Sequence, residues 1–263
     1  MAAQEAYAVF TEANSTLTFY YDNLRSTRSG TTYDMPAKVS TAPGWTGTDR
    51  VPQEKIKHAV FDGSFADYRP TSTRSWFQCC VKLQDIKDIR NLNTENVINM
   101  RSMFYNCKSL ESESLNLTNF NTEKVTNMSN MFNNCSSLTS LNLTNFNTAK
   151  VKRMSNMFNN CSSLTTIYCN DDWSVGGKVE EHGQMFSNCP KLKGEGAAYD
   201  SSKTDIEMAN PTTGYFTAKP TGIDHVTVAG KVDDGKIYDL NGRQVSKNYK
   251  GVVVTNGRKI LQR

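Results

Sequence analysis

The sequence contains seven cysteines, whose thiols are suited to metal binding, redox chemistry or disulfide formation. Five of them recur at intervals of 26 to 28 residues, and these are Cys80, Cys107, Cys135, Cys161 and Cys189. No Cys-x-x-Cys pair occurs, so the strongest zinc and redox signatures are missing. The shared phase predicts an internal column of free thiols that pack as small apolar groups. Neighbouring thiols would stand roughly 5 Å apart, so a disulfide is the alternative.

The other reactive side chains do not converge in the sequence. The three histidines, His58, His182 and His225, lie in separate segments, which argues against a histidine metal site. Adjacent acidic residues point to different sides of an extended chain and form no acid-base couple; they are Asp171/Asp172, Glu180/Glu181 and Asp233/Asp234. No nucleophile elbow, phosphate-binding loop or metalloprotease motif is present. The sequence therefore predicts no enzyme, with no catalytic residues, no cofactor and no metal.

The cysteines belong to a repeated unit, Met-Phe-x-x-Cys-x-x-Leu, which must position them. Residues 116–166 read almost the same twice, and further copies of the unit begin at Met103 and Met185. An earlier copy keeps the phase with Trp76 in place of methionine. A fixed period of this size is typical of a solenoid, in which each coil covers the next.

Within one unit the hydrophobic period changes. The first part places apolar residues on one face of a 3.6-residue helix, at Val125, Met128, Met131, Phe132 and Cys135. Thr126 would cap this short helix, and Asn133-Asn134 would end it. The second part alternates as a strand does, at Leu138, Leu141 and Leu143. We therefore predict an α/β fold, a leucine-rich-repeat-like solenoid with one short helix and one short parallel strand per 26–28-residue coil.

These patterns divide the chain into three segments. Residues 1–52 hold two alternating runs, at 6–10 and 17–21, which predict a β-hairpin cap on the first coil. Residues 53–217 would form the solenoid, whose fifth unit loses the pattern as a capping repeat does. Residues 218–263 predict a small all-β module with Asn-Gly hairpin turns. Its strand candidates are Ile223–Val228, Lys236–Asp239, Gln244–Ser246, Val252–Thr255 and Lys259–Gln262.

Composition and charge exclude several kinds of partner. The 263 residues carry a net charge of +4 with both signs interspersed, so no basic footprint indicates nucleic acid. No apolar run reaches 18 residues, and we expect no membrane span. The first ten residues lack the basic and apolar regions of a signal peptide. Either the protein is cytosolic or an export signal has been removed.

Asparagine is the second recurring residue type of the unit. Its amides could form a ladder that binds glycans or ions. Alternatively, they satisfy backbone groups at each bend of the coil, as turn asparagines do, and we favour this structural interpretation. The residues concerned are Asn119, Asn121, Asn127, Asn130, Asn133, Asn134, Asn145, Asn147, Asn156, Asn159 and Asn160.

The repeat MSNMFNNCSSLTSLNL with NFNTxxV resembles the BspA-like leucine-rich-repeat surface proteins of Bacteroidetes-type bacteria. Residues 6–35 and 60–80 resemble sequences that accompany this repeat, so the resemblance covers about residues 6–217. It implies a secreted or surface-exposed protein used in adhesion and host contact, with its export signal removed. The sequence from Lys236 onward resembles the β-module at the end of many exported Bacteroidetes proteins, sorting tails included.

We therefore expect a non-enzymatic, monomeric, secreted or cell-surface protein that uses the side of its coils for adhesion or protein binding. The expected partners are host or bacterial surface proteins, extracellular matrix proteins among them, and glycans. The candidate binding residues lie between the buried leucines and face outward: Gln84, Asp85, Lys87, Asp88, Thr139, Ser140, Asn142, Thr165, Thr166 and Tyr168. One alternative is a glycan-binding module, for which Tyr168, Trp173 and Trp45 are the candidate aromatics. Another is a purely structural component of a surface layer.

Overall fold

The computed structural model describes residues 3–46, 52–175 and 179–219, and the backbone of four later strands. The chain divides into two compact units, Met1–Ala218 and Lys219–Arg263. The first unit contains all the candidate binding residues. We number its repeats 1 to 5 by their recurring cysteines, which are in order Cys80, Cys107, Cys135, Cys161 and Cys189.

The described part of the first unit contains eight strands. They are β1 (Glu5–Thr11), β2 (Thr16–Asp22), β3 (Thr31–Asp34), β4 (His58–Phe61), β5 (Asp85–Lys87), β6 (Ser140–Asn142), β7 (Thr166–Tyr168) and β8 (Phe216–Thr217). Its helical segments are short 3-10 helices at Glu12–Asn14, Arg25–Thr27, Gly44–Thr46, Gly63–Asp67, Ile89–Asn91, Ser112–Ser114 and Ile206–Met208.

A five-stranded sheet joins the N-terminal segment to the first repeat, in the order β3-β1-β2-β4-β5. β1 pairs antiparallel with β2 and β3, so the predicted hairpin is present. β2, β4 and β5 then run parallel, with Leu17 beside Ala59 and Ala59 beside Ile86. These three side chains are buried. The hairpin therefore continues the hydrogen bonding and the core of the repeats.

The predicted solenoid of one helix and one strand per coil is wrong. The described residues contain no α-helix, and their longest helical segment is the five-residue 3-10 helix Gly63–Asp67. Residues 125–135, predicted as a helix, form a series of turns. Within it Asn130 and Asn134 are left-handed, with φ of 58° and 61°. Strands also do not occur in every described repeat. Repeat 2 has none.

The hydrogen bonds between repeats explain why the helix does not form. In repeats 1 to 4, every second N–H group of the turn segment before the recurring cysteine donates to a carbonyl of the next repeat. In repeat 2 these donors are Met100, Ser102, Phe104 and Asn106. The N–H groups between them donate three residues back along the chain, from Met103, Tyr105 and Cys107. This alternation replaces the i to i−4 ladder of an α-helix. Apolar residues at helical spacing therefore reach the core from successive turns.

The core is a column of aromatic rings and thiols. One phenylalanine per repeat stacks on the next, with ring centroids 5.5 to 5.8 Å apart, at Phe77, Phe104, Phe132, Phe158 and Phe186. Each later cysteine donates through Sγ to the phenylalanine carbonyl of the preceding repeat, as Cys135 does to Phe104 at 3.0 Å. All seven cysteines are free, and the five recurring ones are buried. The predicted column of free thiols is confirmed.

Aromatic clusters cover both ends of this column. At the first repeat, Phe19 stacks on Phe61 at 4.5 Å and on Trp76 at 5.4 Å. At the last repeat, Tyr215 meets the edge of Phe186 at 5.3 Å. Because an end repeat lacks a neighbour on one side, these rings bury apolar surface that would otherwise meet water.

The second unit contains an antiparallel sheet in the order β10-β9-β11-β12. Its strands are β9 (Ile237–Asp239), β10 (Gln244–Val245), β11 (Gly251–Thr255) and β12 (Arg258–Gln262), each within one residue of a predicted strand. The candidate strand Ile223–Val228, the Asn-Gly turns and His225 lie outside the described residues.

Candidate interaction surface

Two neighbouring strands bring six of the ten predicted binding residues together. β6 and β7 pair in parallel, with Ser140 beside Thr166 and Asn142 beside Tyr168. The alternating residues Leu141 and Ile167 are buried in the core. We call the six the strand-side patch, and each of them is exposed or half-buried: Thr139, Ser140, Asn142, Thr165, Thr166 and Tyr168.

Hydrogen bonds hold several side chains of the strand-side patch in place. The N–H and Oγ1 of Thr165 both donate to the carbonyl of Thr139, each at 2.8 Å. Thr144 Oγ1 donates to Asn142 Oδ1 at 2.9 Å. Side chains that are already ordered lose less conformational entropy when a partner binds. The patch is therefore small, polar, uncharged and largely pre-organised.

The other four predicted residues form a separate group on and beside β5, which we call the first-strand patch: Gln84, Asp85, Lys87 and Asp88. Asp85 and Lys87 alternate with buried Ile86, while Asp88 is left-handed at φ 53°. Asp85 Oδ2 lies 2.6 Å from Nδ1 of His58, its register partner on β4. The sequence placed His58 on a strand and carried no signal for this pair, because the pairing depends on strand register.

Repeat 2 separates the two patches. Where a strand would pair with β6, the chain forms the 3-10 helix Ser112–Ser114. Ser112 Oγ accepts hydrogen bonds from the N–H groups of Thr139, at 2.8 Å, and Ser140, at 2.9 Å. In a paired strand, a backbone carbonyl would accept these bonds. The ten predicted residues thus form two patches.

Most of the recurrent asparagines serve the backbone. Asn145 Nδ2 donates to the carbonyls of Leu117 and Phe120 in the preceding repeat, at 3.1 and 2.6 Å. Asn119 donates to repeat 1 carbonyls in the same way, and Asn127 accepts the N–H of Ser129. The structural interpretation is confirmed for these residues.

A different set of residues lies on the turn side of the repeats, by which we mean the side formed by the turns that precede each recurring cysteine. One left-handed residue per repeat, with φ between 57° and 61°, occupies the last turn before the recurring cysteine. We call these five the corner column: Cys79, Asn106, Asn134, Asn160 and Asn188. Asparagine suits this position because it tolerates the left-handed region better than most residues. Repeat 1 has a cysteine there, which is half-buried and is the one cysteine of the chain that is not buried.

Burial determines the chemistry of the core thiols. It raises the pKa of Cys135 and Cys189 to about 12, because the apolar core disfavours a thiolate. The same cause raises the pKa of Cys107 and Cys161 well above the usual range. Since the thiolate is the reactive form, these thiols are inert at neutral pH.

Two of the aromatic residues considered for glycan binding are core residues. Trp45 is 0% exposed and Trp173 is 3% exposed, so neither offers a ring to a ligand. Among the described residues no group of three or more His, Cys, Asp or Glu side chains could hold a metal ion. No described helix has the length and apolar character needed to cross a membrane.

These features define a protein of stacked, turn-rich repeats with polar sides. Residues 71–199 match the model of a family described as Mycoplasma protein of unknown function, DUF285. The matched segment spans all five recurring cysteines and just under half of the chain. Comparisons with curated proteins and with solved structures found no match. They add no support for the BspA-like or Bacteroidetes resemblance.

Proposed function

We propose that this chain is a non-enzymatic protein, secreted or attached to a cell surface, that binds a macromolecular partner through its strand-side patch. The observation that carries the proposal is the parallel pairing of Ser140 with Thr166 and of Asn142 with Tyr168. Equivalent polar positions of consecutive repeats thereby stand side by side on one outward face. The family match is compatible with this proposal but says nothing of a partner.

The patch suits a partner that is held by many weak contacts. It contains a single aromatic side chain, Tyr168, and no arginine or tryptophan, the residue types that dominate strong binding hot spots. Linked weak contacts raise overall avidity when several are made at once. A long fibrous or surface protein of host or bacterial origin offers such repeated contacts, and extracellular matrix proteins are the class to test first.

Binding of the purified protein to immobilised extracellular matrix proteins tests the proposal. We expect saturable binding to at least one of them by the unmodified chain. Thr166→Lys places a long charged side chain in the middle of the patch and should weaken binding about tenfold or more. Ala149→Lys adds the same charge at an exposed turn outside the patch and is the matched control. No saturable binding, or equal binding by Thr166→Lys, would contradict the proposal.

A further inference from the structure

The turn side of repeats 3 to 5 carries a groove that the proposed function does not use. It has a volume of about 400 Å³, within the range of roughly 300–1,000 Å³ typical of small-molecule sites. We call it the corner groove, and the lining residues that matter here are Asn134, Ser136, Asn160, Ser162, Asn188 and Tyr199. Asn160, Ser162 and Asn188 are exposed, and the other three are half-buried.

The amides of the corner column hydrogen-bond in two separate pairs. Asn134 Nδ2 donates to Asn106 Oδ1 at 2.6 Å, and Asn188 Nδ2 donates to Asn160 Oδ1 at 2.9 Å. Between the pairs, Asn134 Oδ1 and Asn160 Nδ2 have no hydrogen-bond partner among the described residues. Two residues that line the groove, on adjacent repeats, therefore hold one unused acceptor and one unused donor.

These two groups are held at a fixed separation. The backbone N–H of Asn134 donates to the carbonyl of Asn159 at 2.7 Å, which joins the two repeats beside the amides. Each amide is also held at its other end by the hydrogen bond within its pair. A ligand that bridges the two repeats would thus meet side chains that are already ordered, and these side chains would lose little conformational entropy on binding.

The chemistry of the groove indicates a neutral ligand rich in hydroxyl groups. The described residues that line it include no charged side chain, and Ser136 and Ser162 line it together with the asparagines. The half-buried ring of Tyr199 packs on Tyr215 at 6.0 Å, and its hydroxyl accepts the N–H of Asn188 at 3.0 Å. An aromatic ring beside one unused amide acceptor and one unused amide donor suits a sugar, which has C–H faces and neighbouring hydroxyls that both donate and accept.

We propose that the corner groove binds a neutral oligosaccharide, whose hydroxyls hydrogen-bond to Asn134 Oδ1 and Asn160 Nδ2 while one sugar ring lies against Tyr199. Another groove, on the turn side of repeats 1 and 2, offers different chemistry, because Glu54, Lys82 and the Cys79 thiol line it. The proposal goes beyond the strand-side patch, and each of the two sites can fail without the other.

The test is binding of the purified chain to a panel of neutral oligosaccharides, with acidic oligosaccharides and neutral peptides included for comparison. We expect a neutral oligosaccharide to bind and Asn160→Asp to weaken it about tenfold, because the exchange removes the Nδ2 donor. Aspartate also tolerates the left-handed backbone, and its carboxylate still accepts from Asn188. Ser162→Trp should fill the groove and abolish binding, and the Ser162 side chain makes no hydrogen bond to a described residue that the exchange would break.

Asn106→Asp is the matched control, because it changes the same residue type in the same column outside the corner groove and keeps the acceptor for Asn134. It should bind as the unmodified chain does, and so should Thr166→Lys. Thermal unfolding of each variant separates loss of binding from loss of folding. The proposal is overturned if no neutral oligosaccharide binds, if peptides or acidic sugars bind better, or if folded Asn160→Asp and Ser162→Trp both bind normally.

Discussion

The turn side and the strand side of the repeats are built differently. On the turn side, each of the four steps between repeats uses the same pattern of four backbone N–H donors. On the strand side, pairing is interrupted at repeat 2, where the Ser112 side chain replaces a strand. The turn side thus holds the stack together, whereas the strand side tolerates changes in length and sequence.

The largest effect should come from removing a ring of the phenylalanine column. Phe132 is fully buried and stacks on both Phe104 and Phe158, so Phe132→Ala should destabilise the fold by about 3–5 kcal/mol. Phe146, on the strand side, is also buried, but among the described residues it stacks on Phe120 alone. Phe146→Ala should therefore lower the free energy of unfolding by about 1 kcal/mol less than Phe132→Ala does. Urea unfolding measures both, and an equal or larger cost for Phe146→Ala would break the comparison.

The next effect depends on pH and arises from the buried thiols. Because burial raises the pKa of Cys135 to about 12, between pH 9 and 12 its thiol ionises in the unfolded chain and stays protonated in the folded one. The unfolded state then binds fewer protons, so stability falls as pH rises. Across this window, the free energy of unfolding of the unmodified chain should fall by about 1.4 kcal/mol per pH unit more than that of Cys135→Ala. Urea unfolding at several alkaline pH values measures this, and equal slopes would contradict it.

A smaller effect is expected where repeat 2 interrupts the strands. Ser112→Ala removes the acceptor of two N–H groups, those of Thr139 and Ser140, and should cost about 1–2 kcal/mol. Ser114→Ala is the control, because this half-buried neighbour makes no side-chain hydrogen bond to any described residue. Hydrogen exchange should show faster exchange of the two amides in Ser112→Ala alone. Unchanged protection would mean that the serine does not replace the missing strand.

The smallest effect should come from the exposed ion pairs between repeats. Arg153 Nε lies 2.8 Å from Glu181 Oε1, but both side chains are about half exposed. Water and salt screen such a pair, so Arg153→Ala should change stability by less than about 1 kcal/mol. Lys152→Ala, which breaks the neighbouring pair with Glu180, should behave alike. A loss above about 2 kcal/mol in unfolding measurements would show that side-chain charges help to hold the turn side.

Several local predictions from the sequence agree with the structure. The alternating runs at 6–10 and 17–21 form strands because alternation leads directly to a pleated, half-buried sheet. The cysteine column was predictable because residues in one phase of a repeat meet the same environment. The helix at 125–135 was predicted wrongly, because apolar residues at i, i+3 and i+7 also fit a series of turns.

The candidate binding residues were predictable as outward positions but not as a surface. Ser140 and Thr166 could be placed between buried residues from their alternation with Leu141 and Ile167. Their separation from Asp85 could not, because it depends on how Ser112 occupies the place of a strand. That Asn134 Oδ1 and Asn160 Nδ2 have no partner among the described residues also depends on distances between repeats, which no single repeat encodes.

From its amino-acid order alone, this chain reveals which residues are equivalent, which of them avoid water and where the repeats end. Those properties follow from periodicity and side-chain polarity, which are local. The tertiary structure decided that the turn segments donate to the neighbouring repeat at every second residue and do not coil into helices. A stacked repeat can satisfy its N–H groups from the next one, and that partner exists only after the chain has folded upon itself.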